Sequence, residues 1–279
     1  MENKDYLVLG DKKFESRFIL GSGKYSPELI DAAIKSAGSQ MVTVALRRAN
    51  TKDVANILNY IPKEVTIIPN TSGARNASEA IRIARLAREM GCGNFVKIEI
   101  MRDSKYLLPD NSETLKATEV LAGEGFVVLP YMYPDLNFAR DMRDAGASAI
   151  MPLASPIGSN KGLSTRDFIK IIIDEIDLPV IVDAGIGVPS QAAEAMEMGA
   201  AAIMANTGIA TASDINMMAK AFRLGIEGGR LAYLAKPGRV LENGADPSSP
   251  LRDFFDWYEY KKCTWLFSGH GYNRFRYKR

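Results

Sequence analysis

Histidine and cysteine are almost missing from this sequence, which has one His and two Cys among 279 residues. Cys92 and Cys263 are too few for a disulfide framework, which favours a reducing compartment. His270 lies in the C-terminal tail, far from both cysteines, which excludes a Ser-His-Asp triad beside a core motif and makes a zinc site a poor hypothesis. Carboxylates alone could still bind magnesium. The candidates for chemistry are therefore Lys, Asp, Glu, Cys and Tyr side chains.

A strong charge of one sign is also missing, because 35 basic and 33 acidic side chains leave a net charge of +2. This balance gives no field that would attract nucleic acid or a membrane surface. No apolar run approaches the roughly 20 residues that span a bilayer, and the polar first residues are not followed by the apolar core of a signal peptide. We therefore expect a soluble cytoplasmic protein with no nucleic-acid or membrane partner.

Short apolar runs alternate with amphipathic segments through most of the chain. A small hairpin is predicted around Gly10-Asp11. Eight strands are predicted after it, at 17–20, 41–46, 65–69, 95–100, 126–131, 149–152, 179–183 and 201–205, each followed by a helix. The helix after strand six is predicted to begin with Thr165 as its N-cap, and the last long helix is predicted over 214–227. Eight βα units in about 225 residues favour a closed (β/α)8 TIM barrel. An open doubly wound sheet is the alternative, although the first strand is followed by Gly21-Ser22-Gly23 without the rest of a GxGxxG fingerprint.

The fourth predicted strand carries a lysine where a barrel interior would be. Side chains alternate along a strand, so Lys97 and Glu99 should point into the barrel with Phe95. Burial lowers the pKa of an amine, and a neutral amine condenses with a ketone or aldehyde. Glu99, and Asp183 at the end of strand seven, could then move protons. The alternatives are a structural Lys97–Glu99 ion pair, a strand register that turns both side chains outward, and a capping role for Asp183.

Glycine-bearing loops follow strands six, seven and eight, where phosphate is commonly bound in (β/α)8 barrels. Backbone N–H groups can approach an anion closely at glycine. Three such loops on neighbouring strands predict a phosphate site, against the alternative that βα loops simply favour Gly and Asn. The pair Arg47-Arg48 after strand two could bind an anion, but salt bridges between loops are the favoured interpretation.

These motifs together resemble the bacterial thiazole synthases of thiamine biosynthesis. The matching segments, in order, are LGSGKY (20–25), LRR (46–48), IPNTSGA (68–74), VKIE (96–99), LLPD (107–110), IMPLASPIGS (150–159), VDAGIG (182–187) and NT (206–207). They are spread over about residues 5 to 250, which covers nearly the whole chain. Many segments in one register are far more specific than any one of them.

The resemblance implies a (β/α)8 barrel enzyme that condenses 1-deoxy-D-xylulose 5-phosphate, dehydroglycine and sulfur into a thiazole phosphate carboxylate. The sulfur donor of that family is the C-terminal thiocarboxylate of a small ubiquitin-like sulfur carrier protein. By resemblance, Lys97 forms the Schiff base, and Glu99 and Asp183 are the acid–base groups. The residues that map onto substrate-binding positions are Gly158, Ala184, Gly185, Asn206 and Thr207. The scheme requires no metal or organic cofactor, and the family suggests a homotetramer.

The C-terminal part departs from the resemblance. We expect residues 1–250 to form the catalytic barrel and residues 251–279 to form an aromatic and basic extension whose end is disordered. Two other functions stay open from the residues alone. One is a Schiff-base sugar-phosphate aldolase, which would cleave a carbon–carbon bond without sulfur. The other is a non-catalytic scaffold that binds a ubiquitin-like partner.

Overall fold

Two short strands and eight parallel strands follow one another along the chain. The computed structural model describes residues 5–22, 26–45, 60–103 and 105–240. The first two strands, β1 (Leu7–Leu9) and β2 (Lys12–Phe14), form the predicted antiparallel hairpin across Gly10-Asp11. The eight strands after it are β3 (Phe18–Leu20), β4 (Met41–Ala45), β5 (Thr66–Asn70), β6 (Phe95–Ile98), β7 (Val127–Met132), β8 (Met151–Pro152), β9 (Ile181–Val182) and β10 (Ala202–Ala205).

Helices separate the strands. They are α1 (Pro27–Asp31, continued by a π-helical turn Ala32–Ser36), α2 (Ala77–Glu89), α3 (Asn111–Gly123), α4 (Leu136–Asp144), α5 (Arg166–Glu175), α6 (Pro189–Glu197), α7 (Thr207–Ala210) and α8 (Ile215–Ala235). The short helix α7 was not predicted, and α8 continues beyond its predicted end near residue 227. None of the helices within the described ranges is long and apolar enough to cross a membrane.

The eight parallel strands form a closed ring. Their order is β8-β7-β6-β5-β4-β3-β10-β9. The two ends of this series meet through the parallel bridges Ile150↔Val180 and Leu153↔Asp183. The backbone N–H of Ala154 also donates to the carbonyl of Asp183 at 2.8 Å. The predicted (β/α)8 TIM barrel with an N-terminal hairpin is confirmed, and the open doubly wound sheet is excluded.

The hairpin fills the end of the barrel where the strands begin. Leu7, Leu9 and Phe14 belong to the same buried cluster as inward side chains of the strands, among them Ile19, Met41, Ile68, Leu129, Ile181 and Met204. Phe14 meets the ring of Phe95 edge-on, with centroids 6.3 Å apart. Burial of large apolar side chains is the main stabilising contribution to such a core. The opposite end, where the strands finish, carries the polar groups.

The alternation predicted for the fourth barrel strand is confirmed. Val96, Ile98 and Ile100 pack outward in one cluster with residues of α2 and α3, such as Ile83 and Leu121. Phe95 points inward with the barrel core, and Lys97 and Glu99 lie on its side of the strand at the far end. This alternation places two charged groups inside the ring.

Side-chain caps fix where several helices begin. Ser26, Asn76, Asp110, Asp135 and Asp214 each accept a hydrogen bond from the amide three residues later, which satisfies one of the free N–H groups of the first turn. Thr165 is the N-cap residue of α5, as predicted, but its side chain makes no capping hydrogen bond. Its hydroxyl instead donates to the carbonyl of Leu153 at 2.6 Å, so it ties the start of α5 to the end of β8.

The barrel belongs to a compact unit of residues 1–237, and residues 238–279 form a second unit. The structure describes residues 238–240 of that second unit, all of which are exposed. The predicted extension at 251–279 therefore lies outside the described residues. The pair Arg47-Arg48 lies outside them as well.

Candidate active site

A cavity of about 310 Å³ opens at the end of the barrel where the strands finish. All eight site residues predicted from the sequence line it: Lys97, Glu99, Gly158, Asp183, Ala184, Gly185, Asn206 and Thr207. They come from β6, from the residue that follows it, and from the segments that follow β8, β9 and β10. Active sites of (β/α)8 barrels lie at this end, so barrel closure brings together residues that are distant in sequence.

Lys97 reaches the floor of this cavity and is 4% exposed. Its Nζ forms an ion pair with Asp183 Oδ2. It lies 3.4 Å from Glu99 Oε2 and 3.4 Å from Met204 Sδ. The ring of Tyr131 lies against the same ammonium group, with its centroid 5.0 Å from Nζ. Two carboxylates, a thioether and an aromatic face therefore surround the amine.

Glu99 is held in place by neighbours at the ends of two strands. Its Oε2 accepts a hydrogen bond from Asn70 Nδ2 at 2.8 Å, and Asn70 Nδ2 also donates to Ser22 Oγ at 2.9 Å. The hydroxyl of Thr71 accepts from the Glu99 backbone N–H at 2.8 Å. The carboxylate position is thus fixed by side-chain and backbone contacts together.

Asp183 follows β9 and faces Lys97 across the barrel. One carboxylate oxygen, Oδ1, accepts the backbone N–H of Ala184 at 2.7 Å, and the other contacts the lysine. The Ala184 backbone adopts the left-handed region with φ of 62°. That conformation is costly for a residue with a side chain, and here it turns the amide toward Asp183.

The pKa values of the two carboxyl groups in the site are shifted in opposite directions. Burial raises the pKa of Asp183, and the negative charge of Glu99 adds to this, so that Lys97 does not reverse the shift. Burial also works against the charge of Glu99, but the ammonium of Lys97 and hydrogen bonds from Asn70 and Ser72 lower the pKa of Glu99 below its ordinary value. Asp183 is therefore the better proton acceptor of the two.

The expectation of a neutral Lys97 is wrong for the enzyme without substrate. Burial does lower the pKa of Lys97, as the sequence argument held, but the charges of Asp183 and Glu99 outweigh burial and raise that pKa. An opposite charge in direct contact favours the charged form of a buried group. The amine is an ammonium ion in the resting site, and it has a carboxylate in contact to accept its proton.

Tyr131 lies beneath this cluster on β7 and is completely buried. Its hydroxyl has no hydrogen-bond partner among the described residues. Burial and the charges of Asp183 and Glu99 raise the pKa of Tyr131 well above its ordinary value, so it stays a neutral phenol. Its aromatic face contributes to holding the lysine ammonium.

Glycines let the loops after β8, β9 and β10 approach one another at backbone distance. A Cβ atom built on Gly185 would lie 2.3 Å from Ser155 Cβ, and one built on Gly208 would lie 2.7 Å from the carbonyl oxygen of Gly187. Gly185 also has a φ of +79°, which favours glycine. The three loops predicted to form an anion site are therefore packed against each other.

Two residues that line the cavity beside these contacts have backbone N–H groups without a partner among the described residues. The N–H of Ala184 is used by Asp183, and that of Gly187 donates to Gln191 Oε1 at 2.8 Å. Among the described residues, no acceptor contacts the N–H of Gly185 or Ile186, and both residues line the cavity. Asn206 Nδ2 donates to the carbonyl of Gly21 at 2.7 Å, which joins the loop after β10 to the loop after β3.

Sequence reasoning gave no individual role to Asn70 or Met204. Asn70 ends the third barrel strand, and polar residues at strand ends were a usable signal for it. Met204 is inward on β10, two residues after Ala202, and alternation along the strand could have placed it beside Lys97. Within the described residues, no group of three His, Cys, Asp or Glu side chains is arranged to bind a metal ion.

The chain matches the family model described as Thiazole biosynthesis protein ThiG over residues 8–250. It is 69% identical over 253 residues to the thiazole synthase of Clostridium beijerinckii, covering 91% of this chain and 99% of the relative. It is 68% identical over 253 residues to the thiazole synthase of Fusobacterium nucleatum, covering 91% of this chain and 98% of that relative.

A solved structure is also similar over most of both chains. It is the crystal structure of the BexX/CysO complex of Amycolatopsis orientalis, with a TM-score of 0.79 and 31% sequence identity. The match covers 86% of this chain and 100% of that one. The sequence and fold comparisons therefore agree.

Proposed function

The chain belongs to the thiazole synthase family, an enzyme family of thiamine biosynthesis, and from this premise we propose the reaction that its site performs. The enzyme condenses 1-deoxy-D-xylulose 5-phosphate, dehydroglycine and sulfur into a thiazole phosphate carboxylate, through an imine between Lys97 and the sugar ketone. The observation that carries the proposal is the buried Lys97 amine in contact with two carboxylates at the floor of the cavity.

The first step forms the imine. Asp183 accepts a proton from the Lys97 ammonium as the ketose enters, because its raised pKa makes it the more basic carboxylate. The neutral amine adds to the C2 carbonyl, and the resulting carbinolamine loses water to give a protonated imine. Asp183 returns the proton that the leaving hydroxyl needs. Glu99, whose pKa is lowered, stays negative and stabilises the positive imine nitrogen at this stage.

The second step moves the carbonyl along the sugar. A protonated imine withdraws electrons and acidifies the C–H of the neighbouring carbon C3, so a carboxylate base takes that proton and leaves an enamine. Protonation of this enamine at C2, with loss of the C3 hydroxyl proton to a carboxylate, then leaves an amine link from Lys97 to C2 and a carbonyl at C3, the carbon at which sulfur can add. The imine with Lys97 holds the reacting carbons between the two carboxyl groups, Glu99 and Asp183. Because the reacting groups are already in position, the entropic cost of bringing them together is reduced.

The sugar phosphate is anchored by the glycine loops. Gly185 and Ile186 line the cavity, and their N–H groups have no partner among the described residues. Backbone N–H groups in such turns bind anions. Gly158, Asn206 and Thr207 complete this side of the cavity. Ala184 acts indirectly, since its amide positions Asp183.

Sulfur arrives on a protein. We assign this role to the C-terminal thiocarboxylate of a small ubiquitin-like sulfur carrier protein, with the enzyme assembled as a homotetramer. The solved relative is itself a two-protein complex, BexX/CysO, which supports a protein partner for this chain. Dehydroglycine is supplied by a separate enzyme, an oxidase or a radical tyrosine lyase.

Borohydride trapping tests the proposal. Reduction of the enzyme with 1-deoxy-D-xylulose 5-phosphate should add the reduced sugar phosphate to the peptide that contains Lys97, as measured by mass spectrometry. Lys97→Arg, which keeps the charge but forms no imine, should give no adduct and no thiazole. The matched control is Lys116→Arg, because Lys116 forms an exposed ion pair with Glu113 on α3 and should trap the sugar as the wild type does.

Three results would contradict this function. No mass gain on the Lys97 peptide of the wild-type enzyme would exclude the imine. Carbon–carbon cleavage of the ketose without sulfur incorporation would instead support the aldolase alternative. Thiazole formation by Lys97→Arg at the wild-type rate would remove Lys97 from the chemistry.

A further inference from the structure

The groups around Lys97 Nζ are of two chemical kinds. Asp183 and Glu99 offer charged oxygens. Met204 offers a thioether with Sδ 3.4 Å from Nζ, and Tyr131 offers its ring face. The surroundings of the nitrogen are thus polar on the carboxylate side and apolar on the other.

Of the two apolar groups, Met204 is the one that faces the cavity. It is 1% exposed but is among the residues that line the cavity, whereas Tyr131 is completely buried and is not among them. Neighbouring strands hold Met204 in position, since it is paired with Ile19 in the parallel register of β10 and β3. Gly21 lies beside it, since a Cβ atom built on that glycine would be 3.5 Å from Met204 Cγ.

The imine carbon carries two different substituents on the proposed reaction path. One is the C3 carbon, whose hydroxyl and transferable proton require the carboxylates. The other is the C1 methyl group, which has no polar atom. Both lie two bonds from Nζ, which brings them close to the groups that surround the nitrogen.

We propose that Met204 forms the apolar wall that receives the C1 methyl group and so selects a 1-deoxy ketose phosphate over a ketose phosphate with a C1 hydroxyl. The proposal rests on the proposed function, since it assumes an imine at Lys97. A C1 hydroxyl placed against the Met204 thioether would lose its hydrogen bonds to water and gain in exchange a weak acceptor, the sulfur atom. Apolar pockets reject an added hydroxyl by about 100-fold at most, so we expect a preference of about 10- to 100-fold.

The test compares two ketoses as imine partners. Rates of borohydride trapping are measured with 1-deoxy-D-xylulose 5-phosphate and with D-xylulose 5-phosphate, which differ at C1 alone. Wild-type enzyme should favour the deoxy sugar by about 10- to 100-fold. Met204→Leu, which keeps an apolar wall, should keep the preference. Met204→Gln, which supplies an amide for a C1 hydroxyl, should reduce the preference to about threefold or less.

Met217→Gln is the matched control, because Met217 is 69% exposed on α8 and its substitution should leave the preference unchanged. Should Met204→Gln fail to fold by circular dichroism, Met204→Ala serves in its place, because it removes the wall and should lower the preference. Equal trapping of both ketoses by the wild type would overturn the inference while leaving the imine intact. An undiminished preference in Met204→Gln or Met204→Ala would overturn it too, and failure to trap either ketose would overturn the proposed function with it.

Discussion

Lys97 is charged before any substrate arrives, because Asp183 and Glu99 face it inside the barrel. Strand alternation predicted where this side chain points, and that prediction is confirmed by its burial. Its protonation state was not predictable in the same way. The contact with Asp183 depends on barrel closure between strands that are far apart in sequence, and local spacing carries no information about that distance.

Removing the ammonium should leave two buried carboxylates without a partner. We predict that Lys97→Met lowers the free energy of unfolding by about 3–5 kcal/mol near pH 8. Lys97 lowers the pKa of both carboxyl groups and burial raises it, so we expect the pKa values of both to rise when Lys97 is replaced. A carboxyl group whose pKa is raised by folding costs no stability at a pH below its pKa in the unfolded chain. The cost grows as pH rises from that value to the pKa in the folded protein, and it is complete above it. Urea unfolding at pH 5 and pH 8 measures the difference.

In the wild type, the contribution of Glu99 to stability should increase with pH. Its lowered pKa contributes stability that is present above pH 4.5 and is lost as pH falls through the folded value. Lys116→Met, at the exposed ion pair on α3, is the control and should change stability little at either pH. A loss in Lys97→Met that is as large at pH 5 as at pH 8 would contradict this account.

At the scale of elements, the loops after β8, β9 and β10 act as one packed unit. Sequence reasoning predicted that three glycine-bearing loops would meet and bind an anion, and they do meet at the cavity. It did not predict that Gly185 packs on Ser155, or Gly208 on Gly187. A glycine in a sequence shows that close approach is possible, while the atom that it approaches is set by the tertiary fold.

Gly185→Ala should therefore be more damaging than a similar change at Gly158. Both residues have positive φ, +79° and +75°, so each alanine adds strain of about 1–3 kcal/mol. Only at Gly185 does the new Cβ overlap Ser155, since the nearest atom at Gly158 is Thr207 Oγ1 at 3.8 Å. We predict a larger loss of stability and a higher KM for the ketose phosphate in Gly185→Ala. Equal effects in both variants, by urea unfolding and steady-state kinetics, would be inconsistent with the overlap.

Helix α8 shows why the residue at which a helix ends was harder to predict than the presence of the helix. Its predicted end near residue 227 precedes the pair Gly228-Gly229, because glycine weakens an isolated helix. The helix nevertheless continues to Ala235. A Cβ on Gly229 would lie 2.4 Å from the carbonyl oxygen of Ala193 on α6, so this glycine allows two helices to pack closely. Tertiary packing overrides the local propensity here.

At the scale of the whole molecule, the barrel was predictable because eight βα periods repeat along the chain and a closed ring is their usual arrangement. The hairpin was also predicted, but its role as a plug was not. Its short strands carry Leu7, Leu9 and Phe14 into the barrel core, and nothing local to those residues indicates which end of the barrel they meet.

Phe14→Ala should destabilise the enzyme without altering its chemistry. Loss of a buried phenylalanine from a core costs about 3–5 kcal/mol. Phe14 lies at the end of the barrel opposite to Lys97, so the folded variant should still trap the ketose at Lys97. Val8→Ala, on the same hairpin but 47% exposed, should cost much less. Urea unfolding and borohydride trapping check the two parts. Wild-type stability of Phe14→Ala would contradict the role of the hairpin.

The plug has a consequence for the order of events in a catalytic cycle. Leu9 and Phe14 occupy the starting end of the strands, so a small molecule reaches Lys97 from the rim where the strands finish. In the proposed reaction, the sugar, the glycine-derived imine and the sulfur donor would therefore share one opening. Entry of the substrates and exit of the product would then follow one another at that opening.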